Sequence, residues 1–261
     1  MRSVLLNTLR SSSRLPSFTS PRAALAPHFT RTMSSSAAPS PSVTSPAVTA
    51  SSVTSPAAPG VQEPEIIDVE DYKTDARWLK LQRIKWRDQE GKERFWEVAN
   101  RTTRSRGGVD SCHILALVHR LQIGVCVVLI EQYRPPAGAV VVEFPAGLID
   151  ENEAPATTAL RELHEETGYA GPGVSVRTVS PVLVKDPGMT GANCHLVTVD
   201  VKLGPDAPDP VPKLEPGEHI VTRLVPIQHL ASVLRDYEKR GFAIDALVSS
   251  VALGISLGGV I

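Results

Sequence analysis

Six acidic residues surround a single arginine over residues 147–169, where the sequence reads GLIDENEAPATTALRELHEETGY. On one helix, Glu162 and Glu166 would lie four residues apart, with Glu165 beside them. Like charges at this spacing repel by a few tenths of a kcal/mol per pair, and Arg161 could offset only part of that repulsion through Glu165. Spacing alone leaves two interpretations open: a solvated acidic face, or a platform for Mg²⁺ or another hard divalent cation that relieves the repulsion.

The same carboxylates could also belong to a calcium-binding loop, because Asp150 and Asn152 stand at alternate positions. The sequence excludes this interpretation, since Ala154 holds the third ligand position and Pro155 stands where such a loop requires glycine. Pro155 instead suits the first position of a helix, and Gly168 suits its end. We predict a helix between them, with a core-facing stripe formed by Ala156, Ala159, Leu160 and Leu163.

Other elements must hold this helix against a core. Short runs rich in Val and Ile predict eight strands, at residues 78–84, 94–99, 112–119, 123–132, 140–144, 174–185, 194–203 and 219–225. A hairpin turn at 87–93 would join the first two strands. Apolar residues at helical spacing predict two further helices, over 226–240 and from about residue 244 toward 257. A mixed sheet with helices packed on it follows, in the α/β or α+β class.

The last 16 residues carry no charge, which raises the question of a membrane anchor. A spanning helix needs about 20 predominantly apolar residues. This shorter run also contains three serines and three glycines. We therefore expect a buried final helix and no membrane partner.

Charge is distributed unevenly along the 261 residues, although the net charge is only −1. Residues 1–62 contain five arginines and no acidic residue, whereas the remainder carries all 28 acidic residues with 22 basic ones, a net charge of −6. Such a body is a poor fit to a nucleic-acid partner, because binding requires a basic surface that displaces counterions. The three cysteines form no C-x-x-C pair, which indicates a reducing compartment and no cysteine-based structural metal.

The N-terminal segment 1–33 is rich in Arg and Ser and free of acidic residues. This composition is typical of a mitochondrial transit peptide, with a plain disordered tail as the alternative. Translation from Met33 would give a cytosolic form that lacks the signal. Residues 34–62 consist almost only of Ser, Thr, Pro, Ala and Val. We predict a disordered linker there, because so little apolar bulk cannot offset the entropy of ordering.

The stretch 147–169 resembles the Nudix box, G-x5-E-x7-R-E-U-x-E-E-x-G-U, where U is usually a bulky aliphatic residue. Every fixed position is matched, and Tyr169 at the last U is the one departure. Over about 75–258 the chain resembles the animal and fungal ADP-ribose pyrophosphatases. The segments that carry this resemblance are RFWEVANRTTR at 94–104, EQYRPP at 131–136, EFPAGLID at 143–150 and KDPG at 185–188.

The resemblance implies an α/β Nudix fold, in which a mixed β-sheet is sandwiched between helices. It also implies a homodimer. We expect residues 63–111 to form an N-terminal β-rich segment for dimerisation and substrate clamping, and residues 112–261 to form the Nudix hydrolase domain.

The resemblance further implies a metal site. In that family Mg²⁺, for which Mn²⁺ can substitute, is held by the glutamates that correspond to Glu162 and Glu166. A backbone carbonyl at the position of Ala146 completes the set, and Glu165 lies beside it as a further candidate. Glu162 and Glu166 thereby count among the expected catalytic residues.

Two other residues of the box are expected to be structural, with Arg161 orienting the glutamates and Glu153 serving the loop and the helix start. The general base of the family is a glutamate on a mobile loop before the last long strand, which here reads PKLEPGEHI. Glu218 matches its spacing best, and Glu215 is the alternative because the first glycine of the family pattern is replaced there.

Substrate contacts also follow from the resemblance. Trp78 and Trp96 would cover the two faces of the adenine, one from each subunit, and Glu97 would contact the base. Arg101 and Arg134 would hold diphosphate oxygens, a task that suits a planar guanidinium.

At the terminal ribose the resemblance places Leu148 and Asp186. Trp86 has no counterpart in the family pattern, and we expect it in the core.

The expected function is Mg²⁺-dependent hydrolysis of ADP-ribose to AMP and ribose 5-phosphate. Another ADP-sugar, NADH or an oxidised nucleotide is the alternative substrate. A Nudix-derived sensor that has lost catalysis is the alternative from another class, and the complete set of box carboxylates argues against it.

Overall fold

The computed structural model describes residues 62–120, 124–204 and 210–258. The predicted transit peptide 1–33 and the predicted linker 34–62, except its last residue, lie outside the described residues. The described strands are β1 Glu65–Asp71, β2 Leu79–Arg87, β3 Glu93–Arg101, β4 Ser111–Arg120, β5 Gly124–Arg134, β6 Ala139–Glu143, β7 Ala146–Leu148, β8 Val174–Val179, β9 Leu183–Val184, β10 Asn193–Val201, β11 Ile220–Pro226 and β12 Ala243–Ile244. The α-helices are α1 Pro155–Thr167, α2 Leu230–Lys239 and α3 Ala246–Gly258.

The first three strands form an antiparallel sheet in the order β1-β2-β3. The turn between β2 and β3 confirms the predicted hairpin. Asp88 organises this turn, because its Oδ1 accepts the backbone N–H groups of Glu90 and Lys92, both at 2.9 Å. The carboxylate also accepts a hydrogen bond from Arg94, at 2.5 Å.

The second sheet has nine strands and is mixed. Its main order is β12-β6-β5-β4-β10-β8, while β11 pairs with β5, β7 with β4 and β9 with β10. The β4–β10 and β6–β12 pairs are parallel, and the other pairs are antiparallel.

Helices cover both faces of this sheet. Side chains alternate along β4, so that Ile114 packs on the α1 side and Leu117 on the side of α2 and α3. Along β5, Val128 and Leu129 divide in the same way. The predicted α/β architecture, a mixed sheet between helices, is confirmed.

Helix α1 begins and ends where the sequence predicts. Pro155 occupies its first turn, and Gly168 closes it in the left-handed region at φ 80°, donating its N–H to His164 O. The predicted core stripe is wrong at Leu160, which is 37 % exposed, although Ala159 and Leu163 are fully buried. The helix is rotated so that Glu166 is buried toward the sheet in place of Leu160.

Three short or exposed strands were not expected: β1, β7 and β12. β1 is exposed along its whole length and β7 has only three residues, so neither carries an alternating pattern of buried and exposed residues. The single strand predicted over 174–185 is also wrong. It is broken into β8 and β9 by Ser180 and Pro181, because proline has no N–H for the ladder.

The final helix differs from the expected buried helix. It begins after Asp245, whose Oδ1 caps the N–H groups of Leu247 and Val248. Only Val248 and Ala252 are buried in it, so α3 covers the sheet with one face. Among the described residues, no helix has both the length and the apolar character required to cross a membrane.

Candidate active site

The carboxylates of Glu162 and Glu166 lie against strand β7. Ala146 N–H donates to Glu166 Oε2 at 2.9 Å. At Gly147 an added Cβ would be 1.9 Å from Glu162 Cδ, so this backbone position must lack a side chain for Glu162 to keep its place. The strand predicted to supply a backbone carbonyl is therefore in direct contact with two of the predicted metal ligands.

Arg161 holds the acidic residues of α1 in place. Its Nη1 donates to Glu162 Oε1 at 2.7 Å and to Glu165 Oε2 at 3.2 Å. On its other edge, Nε and Nη2 bind the two oxygens of Glu153 at 3.1 and 2.9 Å, and Nη2 reaches Leu148 O at 3.2 Å. These contacts accord with the structural role expected of Arg161.

Glu153 in turn fixes the start of the helix. Its Oε2 accepts the hydroxyl of Thr158 at 2.7 Å and the N–H of Asp150 at 3.4 Å. The carboxylate therefore joins the loop before α1 to its first turn, as the sequence predicted.

Among the described residues, no cation contacts Glu166 in this way. It is 4 % exposed, and burial raises the pKa of its carboxyl to about 8, against the opposing hydrogen bond from Ala146. The negative charges of Glu162 and Glu218 contribute to this increase. Burial also raises the pKa of Glu162, although Arg161 opposes this. A second negative charge at this pair is thus disfavoured, and a bound cation would stabilise it.

The loop before β11 brings Glu218 to this pair. Glu218 is half-buried and close enough to raise the pKa of both Glu162 and Glu166, whereas Glu215 is exposed. The two loop glutamates also contact each other, since Glu215 N–H donates to Glu218 Oε2 at 3.0 Å. The geometry therefore favours Glu218 over Glu215 as the loop residue that acts at the carboxylate pair.

A cavity of about 560 Å³ opens beside β7. Four of the predicted site residues line it: Arg101, Arg134, Ala146 and Leu148. Arg134 is anchored by its Nε, which donates to Glu143 at 2.7 Å. The ends of β3, β5 and β7 thus bring together residues that lie far apart in sequence.

Trp96 lines a different cavity of about 450 Å³, next to the three-stranded sheet. Its Nε1 donates to Gly188 O at 3.1 Å. Trp86, expected in the core, is half-buried and lines the same cavity, with its buried Nε1 lacking a hydrogen-bond partner among the described residues. Trp86 is therefore not a core residue. Alternate residues of β2 and β3 lie on the same face of the sheet, and the cavity opens on the face that carries Trp86 and Trp96.

The predicted adenine contacts are not assembled within one chain. Trp78 lies beside Thr102, because Trp78 O accepts the N–H of Thr102. Thr102 is six residues beyond Trp96 along the extended chain of β3, so about 20 Å separates the two tryptophans. Glu97 follows Trp96 in β3 and so faces the other side of the sheet, where it accepts the hydroxyl of Tyr72 at 2.9 Å. Stacking on both faces of a base requires rings about 7 Å apart.

Asp186 lies in the turn after β9, where its carbonyl accepts the N–H groups of Met189 and Thr190 at 3.1 and 2.9 Å. Its side chain is exposed and lines neither cavity. The residue before it, Lys185, does line the larger cavity.

Lys185 and His113 were not among the expected site residues. Lys185 Nζ lies 2.9 Å from His113 Nε2, across 72 residues of sequence. Burial and, to a smaller extent, the charge of Lys185 lower the pKa of His113 to about 4. His113 is therefore neutral and accepts a hydrogen bond from the ammonium. The KDPG motif contains Lys185, but no local pattern points to its partner.

The donor set fits a hard divalent cation. Carboxylates and a backbone carbonyl are the ligands such ions prefer, and Glu166 is a buried carboxylate without a cation. Within residues 62–120, 124–204 and 210–258, no three His, Cys, Asp or Glu side chains converge as a ready metal site. In this arrangement Glu162 and Glu165 instead hydrogen-bond Arg161.

Comparison with known proteins accords with this geometry. The model of the NUDIX domain matches residues 113–245. An uncharacterized Nudix hydrolase of Schizosaccharomyces pombe is 40 % identical over 199 residues, which cover 76 % of this chain and 95 % of that relative.

The chain belongs to the Nudix hydrolase family. The family predicted from residues 147–169 is thus confirmed. Two further relatives are an ADP-ribose pyrophosphatase of Saccharomyces cerevisiae and an ADP-sugar pyrophosphatase of Mus musculus. The first is 41 % identical over 198 residues, covering 74 % of this chain and 84 % of the relative. The second is 38 % identical over 153 residues, covering 59 % and 68 %. In this Nudix hydrolase the box forms β7, α1 and the loop between them.

Proposed function

We propose that this Nudix hydrolase cleaves ADP-ribose to AMP and ribose 5-phosphate with Mg²⁺, and that it also accepts other ADP-sugars. The observation that carries the proposal is the buried, cation-deficient carboxylate of Glu166, next to a cavity lined by Arg101 and Arg134. Anionic ligands for a metal and guanidinium donors for phosphate oxygens are what a diphosphate substrate requires. The names of the yeast and mouse relatives support the choice of an ADP-sugar.

Glu162, Glu166 and the Ala146 carbonyl would hold the metal, with Glu165 as a further ligand. Mn²⁺ would substitute, since it accepts the same oxygen ligands. Bound there, the cation would neutralise the diphosphate and favour ionisation of the attacking water.

Glu218 would take a proton from that water as its oxygen attacks one phosphorus in line. The bond between this phosphorus and the bridging oxygen breaks, and the bridging oxygen leaves with the other phosphate. The position of Glu218 near Glu162 and Glu166 supports this role, and a loop that carries a base can close over the substrate.

The substrate would lie along the larger cavity. Arg101 and Arg134 would bind its diphosphate oxygens, while Leu148 and Asp186 would contact the terminal ribose. Arg134 is suited to this task, because Glu143 anchors only its Nε and leaves the two terminal nitrogens for phosphate.

The adenine would be bound between two subunits of a homodimer. Trp78 and Trp96 lie about 20 Å apart within one chain, so a clamp made of both requires one from each subunit. Both rings are available, with 60 % and 48 % of Trp78 and Trp96 exposed. Glu97 would then contact the base. Mixing inactive Trp78→Ala and Trp96→Ala proteins under conditions of subunit exchange should restore part of the activity, and no restoration would refute the shared clamp.

The decisive experiment is incubation of the purified protein with ADP-ribose and Mg²⁺, followed by chromatographic separation of the products. AMP and ribose 5-phosphate, absent with EDTA and restored by excess Mg²⁺, are the expected result. ADP-glucose, NADH and an oxidised nucleoside triphosphate form the comparison panel. Faster cleavage of NADH or of the oxidised nucleotide would replace the proposed substrate.

Loss of catalysis with retained binding would instead identify a Nudix sensor. In that case folded protein binds ADP-ribose in calorimetry but releases no AMP with either Mg²⁺ or Mn²⁺. The complete set of Arg161, Glu162, Glu165 and Glu166 favours the enzyme, because binding alone does not require all three carboxylates.

For location, we propose import into mitochondria through residues 1–33, with a cytosolic form that starts at Met33. The support is composition: five arginines and no acidic residue lie in this part of the chain. Fluorescent fusions of the full chain and of a chain starting at Met33 should separate into mitochondrial and cytosolic signals. Equal distribution of the two fusions would refute the proposal.

A further inference from the structure

Lys185 contributes a third cation to the 560 Å³ cavity, beside Arg101 and Arg134. The two carboxylates in the wall of this cavity are already engaged: Glu143 accepts from Arg134, and Asp245 caps α3. Among the described residues, no carboxylate lies within 4.0 Å of Lys185 Nζ. The ammonium therefore keeps donors for a ligand.

His113 fixes the position of this ammonium. The imidazole is 4 % exposed, and its Nε2 lies 2.9 Å from Lys185 Nζ. An ammonium only donates, so Nε2 must accept and the ring proton must reside on Nδ1. Nδ1 is buried and has no hydrogen-bond partner among the described residues. The ring is thus held in the tautomer that orients Lys185, although this leaves its other nitrogen unsatisfied.

The backbone register places this pair beside the reacting end of the site. His113 in β4 lies opposite Ala146 in β7, and Ser111 lies opposite Leu148. Directly opposed residues of antiparallel strands have Cβ atoms about 5 Å apart. Because Lys185 contacts His113, its ammonium lies near the strand position of Ala146, a proposed metal ligand. Lys185 and Leu148 line the same cavity, and Lys185 precedes Asp186 in the chain, so it lies near the residues that are proposed to contact the terminal sugar.

We propose that Lys185, oriented by His113, binds the phosphate attached to the terminal sugar and thereby selects for that half of the substrate. This inference rests on the proposed function for the orientation of the substrate. An ammonium with unused donors suits a phosphate oxygen. Its electrostatic attraction is strongest to a phosphate monoester such as the released ribose 5-phosphate. Lys185 would be a substrate-binding residue and His113 a positioning residue.

The test compares Lys185→Met, which keeps length and removes charge, with Lys185→Arg, which keeps charge. Lys239→Met is the control, because Lys239 is an exposed lysine on α2. Inhibition of ADP-ribose cleavage and calorimetric binding are measured with ribose 5-phosphate and with AMP, each with Mg²⁺. We expect Lys185→Met to weaken ribose 5-phosphate about tenfold and to raise KM for ADP-ribose by a similar factor, with a smaller change in kcat. AMP binding should stay unchanged, and Lys185→Arg should retain most of the affinity.

His113→Leu is the second variant, and its melting temperature establishes that it is folded. It should weaken ribose 5-phosphate less than Lys185→Met does, and the double variant should add little to Lys185→Met. Unchanged binding of ribose 5-phosphate by Lys185→Met would overturn the proposal, as would equal weakening of AMP and ribose 5-phosphate. Calorimetry does not require turnover, so failure of the wild-type protein to cleave ADP-ribose is a separate result that refutes the proposed function.

Discussion

Glu131 and Glu166 are two buried glutamates with opposite surroundings. Glu131, in β5, is 8 % exposed and Glu166, in α1, is 4 % exposed. Arg223 binds both oxygens of Glu131, at 2.7 and 3.1 Å, and the hydroxyl of Tyr237 donates to it at 2.6 Å. Glu166 receives one backbone N–H and faces two other carboxylates.

The pKa values follow this difference. Burial alone would raise the pKa of Glu131, but its hydrogen bonds from Arg223 and Tyr237 outweigh burial and hold it below its ordinary value. Burial of Glu166 is opposed by the Ala146 N–H and the charge of Arg134, but these do not outweigh it, and its pKa rises to about 8. Similar burial therefore accompanies a satisfied ion pair at Glu131, and at Glu166 a carboxyl with no ion-pair partner among the described residues.

The largest expected effect is loss of turnover in Glu166→Gln. Removing one metal-ligand charge should lower kcat for ADP-ribose by about 10³-fold, because metal charge stabilisation contributes several kcal/mol to such reactions. The amide keeps an oxygen for the Ala146 N–H, so the fold should persist. Circular dichroism measures whether the fold persists, and a steady-state assay at saturating Mg²⁺ measures kcat. Activity near that of the wild-type protein would refute the metal site.

The matched variant Glu131→Gln should show the reverse behaviour. It leaves the Arg223 guanidinium without its countercharge, and breaking a partly buried pair on one side costs about 3 kcal/mol. We expect a lower urea midpoint but nearly wild-type kcat for the folded protein at low temperature. A large loss of kcat without loss of stability would remove the contrast between the two glutamates.

The smallest effect concerns pH in the absence of metal. The folded pKa of Glu166, about 8, exceeds its ordinary value of 4.5, so the folded state binds this proton more tightly. Stability from this group is complete below about pH 4.5 and is lost as pH rises toward 8. Relative to the wild-type protein, Glu166→Gln should therefore become more stable by about 2 kcal/mol in free energy of unfolding between pH 6 and pH 8.

Added Mg²⁺ sharpens the same comparison, because it competes with protons for Glu166. Mg²⁺ should raise the melting temperature of the wild-type protein more at pH 8 than at pH 6. It should raise the melting temperature of Glu166→Gln only slightly at either pH. Equal shifts in both proteins would place the bound metal elsewhere. Glu131→Gln is the control, and its response to Mg²⁺ should match the wild-type protein.

Local rules in the sequence were sufficient for α1 and its chemistry. Proline at the first turn, glycine in the left-handed region and spacing of four residues act within one helix, so the bounds of α1 and the shared face of Glu162 and Glu166 could be predicted. The family followed from the same 23 residues. Strands with a clear run of Val and Ile, such as β4 and β5, were found for the same reason.

Contacts between residues far apart in the chain were decided only by the tertiary structure. The Lys185–His113 pair spans 72 residues and the Glu131–Tyr237 hydrogen bond spans 106, and no periodicity encodes either. The exposure of Leu160 and the burial of Glu166 depend on how α1 is rotated against the sheet. The sequence by itself therefore determined which groups are candidates for binding a metal and a diphosphate. Packing decided which of those groups lack a partner, because desolvation and charge pairing arise only when distant segments meet.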